Sequence, residues 1–349
     1  MFTFVFARNI FILLTTIKWC RIINFINIQI YNNISILYSN KIVFGGFRMD
    51  KILTLDDATR SSYGARLYDF RDVITHPLRW DEVQLEFMDS TFTMDKQLKK
   101  EVSDNWNKTL ETKPNAFDAG KTRFEGVEWK DGNLLVWIST GIFYSQHETI
   151  RKKPDLKLTE YPTPMTINDL QETIDGYLLF GVRNPYISDQ SGGAVIGAGF
   201  HDPLKGKRNM EFPGGIFETA IKEAREETEY VTGSAGMSIP RPIDTSRMRA
   251  ITLARGSNTD LTMGFYMGLT VPSDAVNLNR INKEYDLMLK VENSRENLER
   301  ILKTGNLQGT KAKDGFVEYT VPLADHPIGV VEAFLRFKDR LPRGGYTQH

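Results

Sequence analysis

Pro213-Gly214-Gly215-Ile216-Phe217-Glu218-Thr219-Ala220-Ile221-Lys222-Glu223-Ala224-Arg225-Glu226-Glu227-Thr228-Glu229-Tyr230 is the stretch from which the rest of the chain is read. Two adjacent glycines permit a tight backbone turn, and the residues after them have the spacing of an amphipathic helix. On that helix Glu223, Glu226 and Glu227 stand at i, i+3 and i+4, so they project from one face. Three anions this close repel one another unless something positive sits between them. Most Glu-rich helices are simply solvated faces. The Pro-Gly-Gly entry and the Lys-Glu-Ala-Arg-Glu-Glu-Thr register point instead to a cation site, and carboxylate oxygens suit magnesium or manganese.

The stretch resembles a Nudix box, whose family pattern is GX5EX7REUXEEXGU with U aliphatic. Lys222 to Thr228 match the REUXEEX portion, with lysine in place of arginine. Glu229 stands at the closing glycine and Tyr230 at the final aliphatic position. The glycine half aligns in two ways. Phe212-Pro213-Gly214-Gly215-Ile216-Phe217-Glu218 is the Pro-Gly-Gly entry in one. In the other, Gly197-Ala198-Gly199-Phe200 ends the incoming strand and His201 to Gly215 form an enlarged loop. The helix glutamates are the same under both.

The resemblance implies an α/β fold, a Nudix-type α/β/α sandwich with a mixed sheet, preceded by an N-terminal α+β region. It also implies magnesium-dependent hydrolysis of a diphosphate linkage, with Mn2+ as a substitute. Metal ligation is implied for Glu223, Glu226 and Glu227, and catalysis for Glu226, Glu223 and Lys222. Lys222 stands at the family arginine, which orients a glutamate. Lysine keeps that charge and loses the bidentate fork. A further acid or base from outside the box is common in the family, and Glu284, Glu292 and Glu318 are candidates. For the substrate, the candidates are Gly214, Gly215, Arg183, Phe180 and the Lys205-Gly206-Lys207-Arg208 loop, since aromatic and cationic groups suit bases and phosphates. The extended N-terminal region before the box is similar to the nucleotide-sugar pyrophosphatases of the superfamily, which makes a small-molecule nucleotide the expected substrate. A Nudix-fold nucleotide-binding or regulatory protein without catalysis is the alternative.

Composition narrows the remaining classes. With 41% hydrophobic and 25% charged residues over 349 positions, the chain can bury a sizeable core in one large domain or two modest ones. Its formal net charge of zero gives no basic field for nucleic acid. Cys20 is the single cysteine, which excludes an intramolecular disulfide framework, and the five histidines show no ligand spacing.

Three regions follow from the order of the chain. Residues 1–48 carry Arg8, Lys18, Arg21, Lys41 and Arg48 but no acidic residue. They read as a mitochondrial presequence, as a membrane anchor, or as upstream sequence before a true start at Met49. The expected location is cytoplasmic, or mitochondrial if the presequence is genuine. Residues 49–164 form the N-terminal α+β region. A strand is expected over Arg79 to Phe87, a helix over Thr93 to Leu110 capped by Thr93, and a hairpin of Arg123 to Trp129 with Asn133 to Thr140 turning at Asp131-Gly132. Trp129 and Trp137 are read as core packing, and together with the helix they also offer a homodimer surface. Tyr161-Pro162-Thr163-Pro164 marks the boundary.

The alternation of strands and helices over residues 165–349 argues for an α/β layered domain, which the resemblance implies is the Nudix hydrolase domain. Strands are expected over Tyr177 to Arg183, Gly192 to Phe200, Arg249 to Ala254, Leu261 to Val271 and Phe316 to Pro322, with a turn at Gly256-Ser257-Asn258. Helices are expected over Glu292 to Lys303 and Gly329 to Arg340. Ala194 to Gly199 imitates a dinucleotide fingerprint, but Asp202 and Pro203 break the pattern and no βαβ unit continues from it.

Overall fold

The computed structural model describes residues 59–60, 68–69, 73–88, 92–112, 114, 118, 120–150, 163–184, 193–200, 215–232, 237–240, 243–255, 261–278, 285–312 and 317–342. Met49–His349 form a compact unit. The three readings of residues 1–48 and the turn at Gly256 to Asn258 lie outside the described residues. In chain order the N-terminal region contributes β1 (Thr59–Arg60), β2 (Tyr68–Asp69), β3 (Val83–Phe87), α1 (Lys96–Thr112), β4 (Gly120–Lys130), β5 (Asn133–Phe143) and α2 (Tyr144–Ile150). Next come β6 (Met165–Glu172), β7 (Tyr177–Arg183), β8 (Ala194–Val195), β9 (Gly197–Phe200), α3 (Ile216–Glu227), β10 (Thr228–Thr232) and β11 (Met237–Pro240). The chain continues through β12 (Ile243–Arg255), β13 (Leu261–Leu269), β14 (Val276–Leu278), β15 (Tyr285–Glu292), α4 (Arg295–Thr304), β16 (Asn306–Lys311), β17 (Glu318–Pro322) and α5 (Asp325–Phe337).

The largest sheet runs β1-β2-β12-β13-β6-β7-β15-β16-β17, with β8 on β7 and β9 on β6. It is mixed, because β13 pairs with β6 in parallel while the other ladders are antiparallel. All of β13, Leu-Thr-Met-Gly-Phe-Tyr-Met-Gly-Leu, is buried, as a central strand covered on both sides requires. Two successive residues show the layers. Phe265 meets Phe217 of α3 edge-on, at 4.8 Å between ring centroids, and Tyr266 stacks on Phe334 of α5 at 5.7 Å. Neighbouring residues of a strand point to opposite faces. The helices α3 and α5 therefore lie on opposite sides of the sheet, and the α/β/α sandwich is the observed architecture.

The N-terminal sheet has the order β3-β5-β4. Its β4–β5 hairpin turns at Asp131 and Gly132, whose φ values of 51° and 86° match the Asp-Gly signal. Phe124 N–H donates to Thr163 O at 2.9 Å, which joins this sheet to the chain just before β6. The Trp129 indole donates to Val73 O at 2.7 Å and its ring packs against the core.

Some boundaries move for local reasons. Asp95 rather than Thr93 caps α1, accepting from Leu98 N at 2.7 Å. Residues 80–82 form a single 3-10 turn before β3. The helix expected from Glu292 starts at Arg295, capped by Ser294 Oγ, because residues 285–292 are a strand paired with β7. The helix α5 starts at Asp325 and yields to a 3-10 turn over Lys338–Arg340. No helix among the described residues is long and apolar enough to cross a membrane.

Candidate functional site

The site is carried by α3. Its entry residue Gly215 has φ +64°, a left-handed conformation that costs a side chain about 1–2 kcal/mol and glycine little. Gly215 O accepts both the N–H and the hydroxyl of Thr219, each at 3.1 Å, which fastens the first turn. Ile216, Phe217, Ala220, Ile221 and Ala224 are buried at helical spacing. That apolar stripe fixes the rotation of the helix and turns Lys222, Arg225 and Glu226 away from the core.

Lys222 sits between two of the predicted carboxylates. Its Nζ donates to Glu223 Oε1 at 2.8 Å and to Glu226 Oε2 at 2.6 Å. Burial alone would lower the Lys222 pKa, but the hydrogen bonds and charges of Glu223 and Glu226 outweigh it and raise the value above 10.5. The two acids differ in access, since the Glu223 side chain is 16% exposed and that of Glu226 is 53% exposed.

Glu223 is half-hidden because it lies on β9. A Cβ placed on Gly199 would fall only 2.7 Å from Glu223 Oε2 and nearer still to its Cγ and Cδ. A buried acid of the adjoining strand takes the next seat along β9. Asp169 of β6 pairs directly with Gly197 of β9, and a Cβ on Gly197 would come within 2.5 Å of Asp169 Oδ2. Asp169 is fully buried and accepts from Gln171 Nε2 at 2.5 Å.

The other predicted residues separate into groups. The Glu227 side chain, Gly214, Glu284 and the loop Lys205 to Arg208 lie outside the described residues. Arg183, the last residue of β7, is half-buried, and its Nε is enclosed with no hydrogen-bond partner among the described residues. Phe180 is fully buried in the main core, so its ring has no surface to offer a substrate. Glu292 and Glu318 are exposed, on β15 and β17. Glu292 pairs opposite Tyr177, next to the Glu172 end of β6 and away from the stretch that pairs with β9. Both glycine segments border the helix: Gly197–Phe200 is the strand beneath Glu223, and Gly215 opens α3. Asp169 was not legible as a site neighbour. The one sequence signal for this packing is the Gly-x-Gly of β9, whose i, i+2 spacing puts both missing side chains on one face.

The donor chemistry of Glu223 and Glu226 fits a hard divalent cation, since both are carboxylate oxygen donors gathered around one positive group, the Lys222 ammonium. Among the described residues no third acid or imidazole converges with them. Magnesium is commonly held by one or two carboxylates, with waters and substrate phosphates completing its shell.

No protein-family model matches the chain, and no curated protein matches it in sequence. Among solved structures it is similar to the MutT protein of Methanosarcina mazei Go1, at 15% identity and a TM-score of 0.29 over 50% of this chain and 93% of that one. It is similar to a Nudix hydrolase of Alicyclobacillus acidocaldarius at 14% identity and a TM-score of 0.34, over 50% and 91%. It is also similar to the Nudix hydrolase RenU of M. smegmatis, at 13% identity and a TM-score of 0.30, over 51% and 86%. With TM-scores this low the likenesses do not decide function, which rests on the residues of the site.

Proposed function

We propose that this protein is a magnesium-dependent hydrolase of the Nudix type that cleaves a diphosphate linkage in a nucleoside diphosphate derivative, such as a nucleotide sugar. The observation that carries the reading is the Lys222 ammonium bridging Glu223 and Glu226 on a helix entered through Gly215. Glu223 and Glu226 would hold the magnesium, with Glu227 as the third carboxylate of the box register. When bound, the ion neutralises phosphate charge and polarises the phosphoryl oxygens.

The remaining roles belong to the side chains themselves. Lys222 holds the two acids at fixed separation. Glu226, the more exposed of the two, is the carboxylate that water reaches, so it takes the proton as the water oxygen bonds to phosphorus. The bridging P–O bond breaks, and its oxygen leaves on the other phosphate. Arg183 and the Gly214-Gly215 turn are assigned to the substrate phosphates.

A screen of nucleotide sugars, dinucleoside polyphosphates, ADP-ribose and coenzyme A with magnesium tests this. Turnover of at least one class that stops on chelation is expected, and no turnover of any class contradicts it.

A second reading, a Nudix-fold nucleotide-binding protein without catalysis, draws on the same ammonium. Lys222 already supplies positive charge where the acids meet, and it lacks the arginine fork. Calorimetry with magnesium and a nucleoside diphosphate separates the two, since binding without turnover at any metal concentration favours the second. A cytoplasmic location goes with either reading, or a mitochondrial one if residues 1–48 are a presequence, and mass spectrometry of the native N-terminus decides. Sedimentation at several concentrations tests the homodimer.

A further inference from the structure

We propose that Gly199 is a positioning residue of the site, acting through Glu223, and that β9 is the seat on which this carboxylate is held; the functional part of the proposal rests on the hydrolase reading above. The strand β9 presents two glycines on one face, and a side-chain group fills the Cβ space of each: Asp169 over Gly197 and Glu223 over Gly199. The two seats are not equivalent. Asp169 is fully buried, and Gln171 holds it by a 2.5 Å hydrogen bond within β6. A methyl group at 197 would press on a fully buried carboxyl group that is hydrogen-bonded in place. Glu223 is the end of a flexible side chain on the rim of α3 and is partly exposed. A methyl group at 199 would push it outward at little cost in folding. What is lost is its position against β9 and its 2.8 Å contact with Lys222.

This gives Gly199 a signature that a purely structural glycine lacks: substitution leaves the fold intact and removes Glu223 from the site. The full chain is titrated with Mn2+ alone, followed by electron paramagnetic resonance, for wild type, Gly199→Ala, Glu223→Ala and the double variant. Thermal unfolding of each is measured alongside, with Gly197→Ala as a comparison. Gly199→Ala is expected to unfold within about 3 °C of wild type and to lose roughly tenfold or more in Mn2+ affinity, on the scale of losing one orienting contact at a metal site. In the Glu223→Ala background the same substitution is expected to change nothing further, because the group it displaces is gone. Gly197→Ala is expected to lower the unfolding temperature more than Gly199→Ala does.

Wild-type Mn2+ affinity in Gly199→Ala overturns the proposal, as does an affinity loss of equal size with and without Glu223. If Glu223→Ala itself binds Mn2+ as wild type does, the carboxylate reading of the site fails, and the functional claim for Gly199 fails with it.

Discussion

Lys222 holds Glu223 and Glu226 together, and its own ionisation reports on the arrangement. Its folded pKa is raised above the ordinary 10.5. A cation so stabilised contributes stability that is fully present below the unfolded value and is lost as pH rises through the folded one. Wild type should therefore lose stability relative to Lys222→Gln as pH rises from about 10 to 12, with the difference between them constant from pH 7 to 9. Chemical denaturation at several pH values reads this, and parallel curves through the alkaline range would show that the ammonium is not held by the acids. The residue scale also shows why the carboxylates were legible. Their i, i+3, i+4 register is written in the order of residues, and a helix converts that order into a shared face. The role of Gly199 was not legible, because it depends on which strand the helix crosses.

At the scale of elements, α3 owes its entry to Gly215 and its rotation to the stripe from Ile216 to Ala224. Gly215→Ala should destabilise the protein by about 1–2 kcal/mol, since alanine meets the left-handed penalty at φ +64°. Urea unfolding measures it, and a change within about 0.3 kcal/mol would mean the turn relaxes without strain. The elements read correctly from sequence were those with a local signal, such as the Asp131-Gly132 hairpin, β7, and the apolar run of β13. The strand β6 is not legible in the sequence, for a physical reason. Met165-Thr166-Ile167-Asn168-Asp169-Leu170-Gln171-Glu172 has five polar residues in eight and yet is wholly buried, because helices cover both faces and neighbouring strands flank it. A polar strand buried on both faces shows no alternation and no apolar run, so its text resembles a loop. The strands β15 and β16 are likewise not legible, although burial of Met288, Leu289 and Val291 anchors β15 to β7.

At the scale of the whole molecule, a buried polar network ties Pro342, beyond α5, to the central sheet. Tyr266 Oη donates to Glu172 Oε2 at 2.6 Å and accepts from Arg247 Nη2 at 3.0 Å. Arg247 Nε donates to Pro342 O at 2.9 Å, and Asn293 Nδ2 donates to Glu172 Oε1 at 2.5 Å. Burial first, then the Glu172 charge and hydrogen bond, push the Tyr266 hydroxyl far above its usual range, with Arg247 opposing, so it stays neutral in the folded protein. Tyr266→Phe leaves Glu172 and Arg247 buried and short of a partner, which should cost about 1–3 kcal/mol in urea unfolding. An unchanged midpoint would mean the remaining contacts satisfy both charges. This network lies at the Glu172 end of β6, while the candidate site lies at the end that pairs with β9. The same central strand thus joins the network that holds Pro342 at one end and pairs with β9 beneath Glu223 at the other. The measurement that bears most directly on the function is the steady-state hydrolysis, with magnesium, of whichever diphosphate substrate the screen identifies, by wild type and by a folded Glu226→Gln variant. A fall in kcat of roughly a hundredfold or more is predicted from loss of the water-facing carboxylate, and wild-type turnover by Glu226→Gln would contradict the assignment of α3 as the catalytic helix.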